Sequence, residues 1–474
     1  MGNTRARIRC RTPVLALLLC GCYQSFFGSV EEDVSPTADD AGAFRDGSDG
    51  GPSGDDVAPR DDGGAVGDDG SSGDAFVDGR RDDAGGDAHD AATSGHLEPE
   101  GESESYYGTE SGMEVQVHSG WLVPAAYSGS VYELIMDEDV PGATDDSYAA
   151  IYRLAPGGER LGTTWIDHWV EATSFGSICW TGEAFLAALP TTEAGIRVFG
   201  VDEDGNLLRE PSLLPDHPES SAGGIALCPG TGPIILASSG AGDTRRLHRF
   251  GRDAVPDGTY ADLPLPPLAG NVWERACAEA GDEIACITAQ PDGEPDPPSI
   301  VFIARDGGLR FSAPLPDPAP CEGGNGCDIV FLGDGLGLVW SADEGGKPIL
   351  HYARTDLDGN MTVGPVSTGR QVGIGPLGFH AATSGSTLFV VTEAAFGGAM
   401  GPAAATANLL ALDGALLGDA VPVSHSCVWD PPPCTDGPAF WRGMAVFWEA
   451  DAYSAIWNTW PDAMVAYRRF LVVP

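Results

Sequence analysis

The chain has 474 residues, 70 of them Asp or Glu against 25 Lys or Arg, for a formal net charge of −45. A surface this acidic repels phosphate backbones, so a nucleic-acid partner is not expected. Lys347 is its only lysine, and no apolar run beyond the first two dozen residues is long enough to cross a bilayer.

The N-terminus reads as an export signal. Arg5, Arg7, Arg9 and Arg11 form a basic region, and Val14 to Leu19 form an apolar core too short for a mature transmembrane helix. The core ends in Leu19-Cys20-Gly21-Cys22. This run resembles a bacterial lipobox, which implies cleavage after Gly21 and lipidation of the Cys22 thiol. Residues 1–22 are therefore expected to be a lipoprotein signal peptide. By the same resemblance, Tyr23 rather than Asp after the cysteine implies the outer membrane, on its periplasmic face or the cell surface. Each buried CH2 of such a chain contributes roughly 0.8 kcal/mol to anchoring.

Residues 23–103 read as a disordered acidic linker. Runs such as Asp61-Asp62-Gly63-Gly64 and Asp82-Asp83-Ala84-Gly85-Gly86-Asp87 carry few large apolar side chains. They cannot bury enough surface to offset the entropy of ordering, and like charges keep them extended. Calcium-binding repeats would need a fixed carboxylate spacing, which this stretch lacks.

Residues 104–474 carry a motif that recurs seven times. Each copy has a short β-type run, a glycine turn and a second apolar run, as in Ser177-Ile-Cys-Trp-Thr-Gly182 then Glu183-Ala-Phe-Leu, or Phe379-His-Ala-Ala-Thr-Ser-Gly385 then Ser386-Thr-Leu-Phe-Val-Val391. A third run follows in most copies and ends in Asp-Gly or Gly-Gly, as at Asp202-Glu-Asp-Gly-Asn206, Asp306-Gly307-Gly308 and Asp356-Leu-Asp-Gly-Asn360. These are strong hairpin turns, because glycine takes positive φ at little cost. The turn glycines recur about every 50 residues, the period of a four-stranded blade. The expected fold is all-β, a seven-bladed β-propeller after the linker, with six blades plus an insertion as the alternative. The seventh copy stops short, and an orphan strand, Met113-Glu-Val-Gln-Val117, precedes the first. That strand is expected to complete the last blade and remove the ring's exposed edges.

Beyond Cys22, eight cysteines remain in a chain expected to be exported, which points to disulfides. Cys277 and Cys286 flank the turn at Gly281. Cys321/Cys327 and Cys427/Cys434 each close a short Pro/Gly-rich loop, and Cys179 and Cys228 occupy matching places in adjacent blades. No CxxC spacing or His/Cys cluster suggests a metal, and no cofactor is expected.

Catalytic signatures are sparse. No GxSxG elbow, HExxH pair or P-loop is present. His118, His168, His351 and His380 each fall in or beside an expected strand, as ordinary blade residues do. Ser341-Ala-Asp343-Glu-Gly345 resembles a sialidase-type Asp box, but Pro348 stands where its aromatic belongs, so a turn is the better reading. The turns at Asp202 and Asp356 echo calcium loops yet lack the further spaced carboxylates. Trp457 and Trp460, placed in a loop between strands, are candidates for stacking on a sugar ring, against a plain packing role. On the inner strands the candidates for chemistry are few: Glu274, Asp328 and His380.

Taken whole, the lipobox, the Asp/Gly-rich spacer and the divergent propeller resemble the outer-membrane lipoproteins of myxobacteria and their relatives. The resemblance implies an envelope-anchored binding scaffold for a protein, a glycan or a small ligand, held to the membrane by its lipid. The alternative is a propeller hydrolase or lyase acting on polysaccharide or lactone, which would need polar side chains converging at the channel mouth.

Overall fold

The structure, a computed structural model, describes residues 95–106, 116–117, 123–139, 147–169, 176–191, 195–214, 223–238, 245–265, 268, 277–288, 297–318, 327–372, 379–395, 403–423, 439–460 and 465–474. It is a seven-bladed β-propeller. Blade 1 comprises Ala125–Tyr127, Tyr132–Asp139, Ser147–Leu154 and Arg160–Trp169; blade 2, Ser177–Trp180, Phe185–Thr191, Gly195–Val201 and Ser212–Leu213. Blade 3 follows with Gly223–Leu227, Ile234–Ser238, Arg245–Phe250 and Pro256–Leu263, and blade 4 with Cys277–Ala280, Glu283–Ile287, Ile300–Ala304 and Leu309–Phe311. Blade 5 holds Cys327–Phe331, Gly335–Asp343, Pro348–Asp356 and Met361–Gln371; blade 6, Phe379–Thr383, Thr387–Ala395, Ala403–Ala411 and Val421–Pro422. Blade 7 is built from Ala439–Glu449, Ala452–Trp460 and Val465–Val473, with His96–Tyr106 outside them. A single bridge, Ala403 to Phe440, joins the sheets of blades 6 and 7. The six-bladed alternative is thereby excluded: every copy of the repeat is a blade.

Ring closure differs from the expected one. The strand that completes blade 7 is His96–Tyr106, antiparallel to Val465–Val473 from His96↔Val473 to Tyr106↔Val465. Gln116–Val117 instead pairs with Asp139 and Glu138, along the edge of Tyr132–Asp139 that Ala125–Tyr127 also pairs. It prolongs the inner strand of blade 1. The closing strand also runs across the boundary expected at 103/104 between linker and propeller. Its polar sequence has a physical reason. An outermost strand faces solvent over most of its surface, and Leu97 is buried with Phe470 and Leu417. A register shift between Glu100 and Glu104, with Gly101 at positive φ, absorbs the rest.

Alternate side chains of each strand face opposite neighbours, so the core is divided among the seams between blades. In Tyr132–Asp139, Tyr132 and Leu134 pack toward blade 7, while Ile135 packs toward blade 2. One hydrophobic cluster fills each of the seven seams.

In blades 2, 5 and 6 the turn between the third and fourth strands leans on the blade before it. A Cβ on Gly205 of blade 2 would sit 2.7 Å from Arg153 Cδ of blade 1; on Gly359 of blade 5, 2.4 Å from Ser312 Cβ of blade 4; on Gly414 of blade 6, 2.8 Å from the Tyr352 ring of blade 5. These glycines also take positive φ. Gly385, in a turn between first and second strands, has positive φ but open space around it. Gly385→Ala should therefore cost about 1–2 kcal/mol, the left-handed backbone penalty alone. Gly359→Ala should cost about 1–3 kcal/mol more, from overpacking against blade 4. Chemical denaturation of the two variants checks the difference.

Candidate functional site

The first strands of neighbouring blades lie side by side around the axis. Each pairs with its own blade on one edge only, which leaves backbone N–H groups on the other edge in need of acceptors. Side chains of the adjoining inner strands supply several. Ser177 Oγ of blade 2 accepts from the Ala226 amide of blade 3 at 3.0 Å, and Glu279 Oε1 of blade 4 accepts from the Cys228 amide at 2.7 Å. Asp328 Oδ2 of blade 5 accepts from the Ala381 amide of blade 6 at 2.7 Å, while its Oδ1 accepts from Ile329 at 2.9 Å. Burial pushes the Glu279 carboxyl up, and the Cys228 amide opposes the shift.

Asp328 and His380 are both buried and lie near the starts of adjacent inner strands, at the rim opposite the first-to-second-strand turns. Close by in sheet order, the Trp340 ring lies 5.5 Å from that of His351, whose Nε2 is 3.0 Å from Glu344 Oε1. His351 is a buried strand residue, as expected. His168 falls in the outer strand of blade 1, and His118 and Glu274 lie outside the described residues.

Two disulfides have the expected partners. Cys179–Cys228 joins the inner strands of blades 2 and 3 with Cα atoms 5.8 Å apart. Cys277–Cys286 spans one hairpin, its residues directly opposed in register. Cys327 is disulfide-bonded, while Cys321, Cys427, Cys434 and Cys22 lie outside the described residues.

The stacking role considered for Trp457 is overturned. Trp457 lies within a strand, not a loop, and is fully buried between blades 6 and 7 among Val446, Ala466 and other core residues. A ring sealed on both faces cannot receive a sugar. The side chain of Trp460 lies outside the described residues. The Asp202 and Asp356 motifs are self-satisfied turns. Asp356 Oδ1 accepts from the amides of Asp358 and Asn360 at 2.9 and 2.8 Å, and Oδ2 from Asn360 Nδ2 at 2.9 Å. Asp202 repeats this with Asp204 and Asn206. The Asn360 side chain and amide hold the Asp356 carboxyl below its ordinary value. Asp343, of the partial Asp box, accepts from the Gly346 amide and closes a turn.

The most extensive buried polar network among the described residues was not among the sequence candidates. Glu449 of blade 7 is buried and accepts from the hydroxyls of Tyr132 and Tyr467 and, at 2.9 Å, from Arg469 Nε. Arg469 also reaches Glu100 of the closing strand at 2.6 Å and Asp451 at 2.8 Å. Burial, with the Glu449 carboxylate, raises the pKa of both tyrosines well above the ordinary value. The network ties blade 7 to blade 1 and to the closing strand. Among the described residues, no group of three or more His, Cys, Asp or Glu is arranged to hold a metal ion.

No known family profile matches the chain, and no curated protein matches it. Solved structures share the fold at low identity. The subtype N11 neuraminidase-like protein of A/flat-faced bat/Peru/033/2010 (H18N11) is 8% identical, covers 79% of this chain and 94% of its own, and superposes with a TM-score of 0.40. The polysaccharide lyase Uly1 is 9% identical, covering 79% and 98%, with a TM-score of 0.47. The periplasmic gluconolactonase PpgL of Pseudomonas aeruginosa is 17% identical, covering 64% and 86%, with a TM-score of 0.41. Likeness at this level is one of fold alone.

Two stability measurements test these assignments. Trp457→Ala should destabilise the propeller by about 3–5 kcal/mol, as loss of a buried indole does; an unchanged melting temperature would restore a surface role. Removing the Cys179–Cys228 link should cost about 4 kcal/mol and removing Cys277–Cys286 about 2.5 kcal/mol, because the first closes the longer loop. Denaturant unfolding of the two double Cys→Ala variants checks the order.

Proposed function

We propose that the protein is an envelope-anchored lipoprotein whose propeller is a binding scaffold for an envelope protein or a glycan. The observation that carries this reading is the use made of the inner-strand carboxylates. Glu279 and Asp328, placed where a propeller enzyme would need free acid and base groups, each accept a backbone N–H from the neighbouring inner strand. Changing their protonation would disturb the seams they hold. The lipobox-like run ending in Cys22 and the acidic stretch to the closing strand supply the anchor and the reach.

The second reading, a hydrolase or lyase acting on polysaccharide or lactone, draws on Asp328 and His380, two buried ionisable groups on adjacent inner strands at one rim.

Two experiments test the proposal. Cys22→Ser should move the protein from the membrane to the soluble fraction on cell fractionation; continued membrane association would refute the lipid anchor. A pull-down from envelope extract with residues 95–474 should retain a protein or glycan, and the purified domain should not turn over polysaccharides or lactones. Turnover abolished by His380→Ala, with the melting temperature held, would establish the second reading instead.

A further inference from the structure

Seen from the hairpin between first and second strands, the fourth residue after the turn glycine faces the next blade. In blades 2, 3, 4 and 6 that residue is Leu186, Leu236, Ala285 or Phe389, each buried in the seam it faces. In blade 1 it is Glu133, with no exposed surface. Its partner across the sheet is equally unusual. Leu186, Leu236, Ala285 and Phe389 pair with Gly200, Leu247, Phe302 and Leu409, whereas Glu133 pairs with Arg153.

Neither Glu133 carboxyl oxygen has a hydrogen-bond partner among the described residues. A buried carboxylate left so is costly, and the group avoids the cost by staying protonated. The charged groups acting on it come from two elements. Arg153 lies on its own blade. Asp202 and Glu203 lie in the third-to-fourth-strand turn of blade 2. That turn is docked on blade 1. Glu203 accepts from the hydroxyls of Ser128 and Ser130, Thr164 donates to the Gly205 carbonyl at 2.5 Å, and Gly205 packs against Arg153.

We propose that the seam between blades 1 and 2 is a proton-operated joint, closed while Glu133 carries its proton and loosened when the proton leaves to solvent. Once ionised, Glu133 attracts Arg153, the cation nearest in register, and is repelled by Asp202 and Glu203. Arg153 turning toward Glu133 withdraws the surface on which Gly205 rests, and the blade 2 turn loses its seat. Burial pushes the Glu133 carboxyl up to about 8; Arg153 opposes the shift and Asp202 and Glu203 add to it. A group whose folded pKa is raised stabilises the fold fully below its unfolded value of 4.5. That contribution is lost as pH rises from there through about 8.

The test compares the full chain with Glu133→Gln and Glu133→Leu. Melting temperatures are measured from about pH 4 to about pH 9, with amide exchange over residues 200–208 corrected for intrinsic rates. Wild type and Glu133→Gln should melt together at about pH 4 and diverge as pH rises, with the wild type falling further. Exchange in the blade 2 turn should speed up about tenfold in the wild type between pH 5 and 8.5 and stay level in both variants. Glu133→Leu, which restores the residue type of blades 2 and 3, serves as the reference if the glutamine variant folds poorly. Parallel melting curves across the range, or exchange in the turn that does not respond to pH in the wild type, would overturn the proposal.

Discussion

A propeller must close, and here one buried carboxylate joins the parts that meet at the closure. Glu449 gathers Tyr132 of blade 1, Tyr467 and Arg469 of blade 7 and, through Arg469, Glu100 of the closing strand. The two hydroxyls and the guanidinium satisfy a charge that burial alone would make prohibitive, and charge-assisted bonds of this kind are about twice as strong as neutral ones. Among the described side chains of the closing strand, Leu97 is the buried apolar one. The strand's position also rests on the ladder to Val465–Val473 and on Arg469, which bridges the Glu100 and Glu449 carboxylates. Blade 1 meets the same network from the other side, since Tyr467 Oη also accepts from the Gly157 amide at 2.9 Å.

The seams from blade 1 through blade 6 repeat a simpler device. Each third-to-fourth-strand turn rests on the preceding blade, and side chains reach forward to meet the turn's backbone. Tyr352 of blade 5 donates to the Leu412 carbonyl of blade 6 at 3.0 Å, and Arg310 of blade 4 to the Leu357 carbonyl of blade 5 at 2.9 Å. Burial pushes the Tyr352 hydroxyl up to about 12, so it remains a donor throughout the working range. The inner ends of the blades are tied separately, by Ser177, Glu279, Asp328 and the Cys179–Cys228 link. Inner and outer ties together oppose shear between neighbouring sheets, which a purely apolar seam resists poorly because the hydrophobic effect has no direction.

What could be read from the sequence followed from local chemistry. Turn glycines and alternating apolar runs are local, and they placed seven blades. Cys277 and Cys286 flank one turn, and their pairing follows from hairpin register. The misreadings concern what depends on neighbours. Met113–Val117 has the stronger strand pattern, yet an inner strand needs apolar residues and an outermost one does not; His96–Tyr106, rich in Glu and Ser, was hidden by its linker-like composition. The strand that holds Trp457 runs through the polar Asn458 and Thr459 to Trp460 and turns the indole of Trp457 into a seam. Glu133 and Glu449 look like surface glutamates in sequence. Only the parity of each strand against its neighbouring blades shows them to be buried.

These two glutamates make blade 1 unlike the others. On its blade 7 side a buried carboxylate is satisfied by two hydroxyls and an arginine; on its blade 2 side a buried carboxyl has no hydrogen-bond partner among the described residues. Leaving one buried polar group unpaired costs about 1–3 kcal/mol, more when it is charged. Ionisation of the Glu133 carboxyl therefore weakens the seam it faces. Cooperative units open first where stabilising contacts are fewest. At the first seam after the closure, an Asp/Glu-bearing turn lies over a carboxyl that burial keeps neutral.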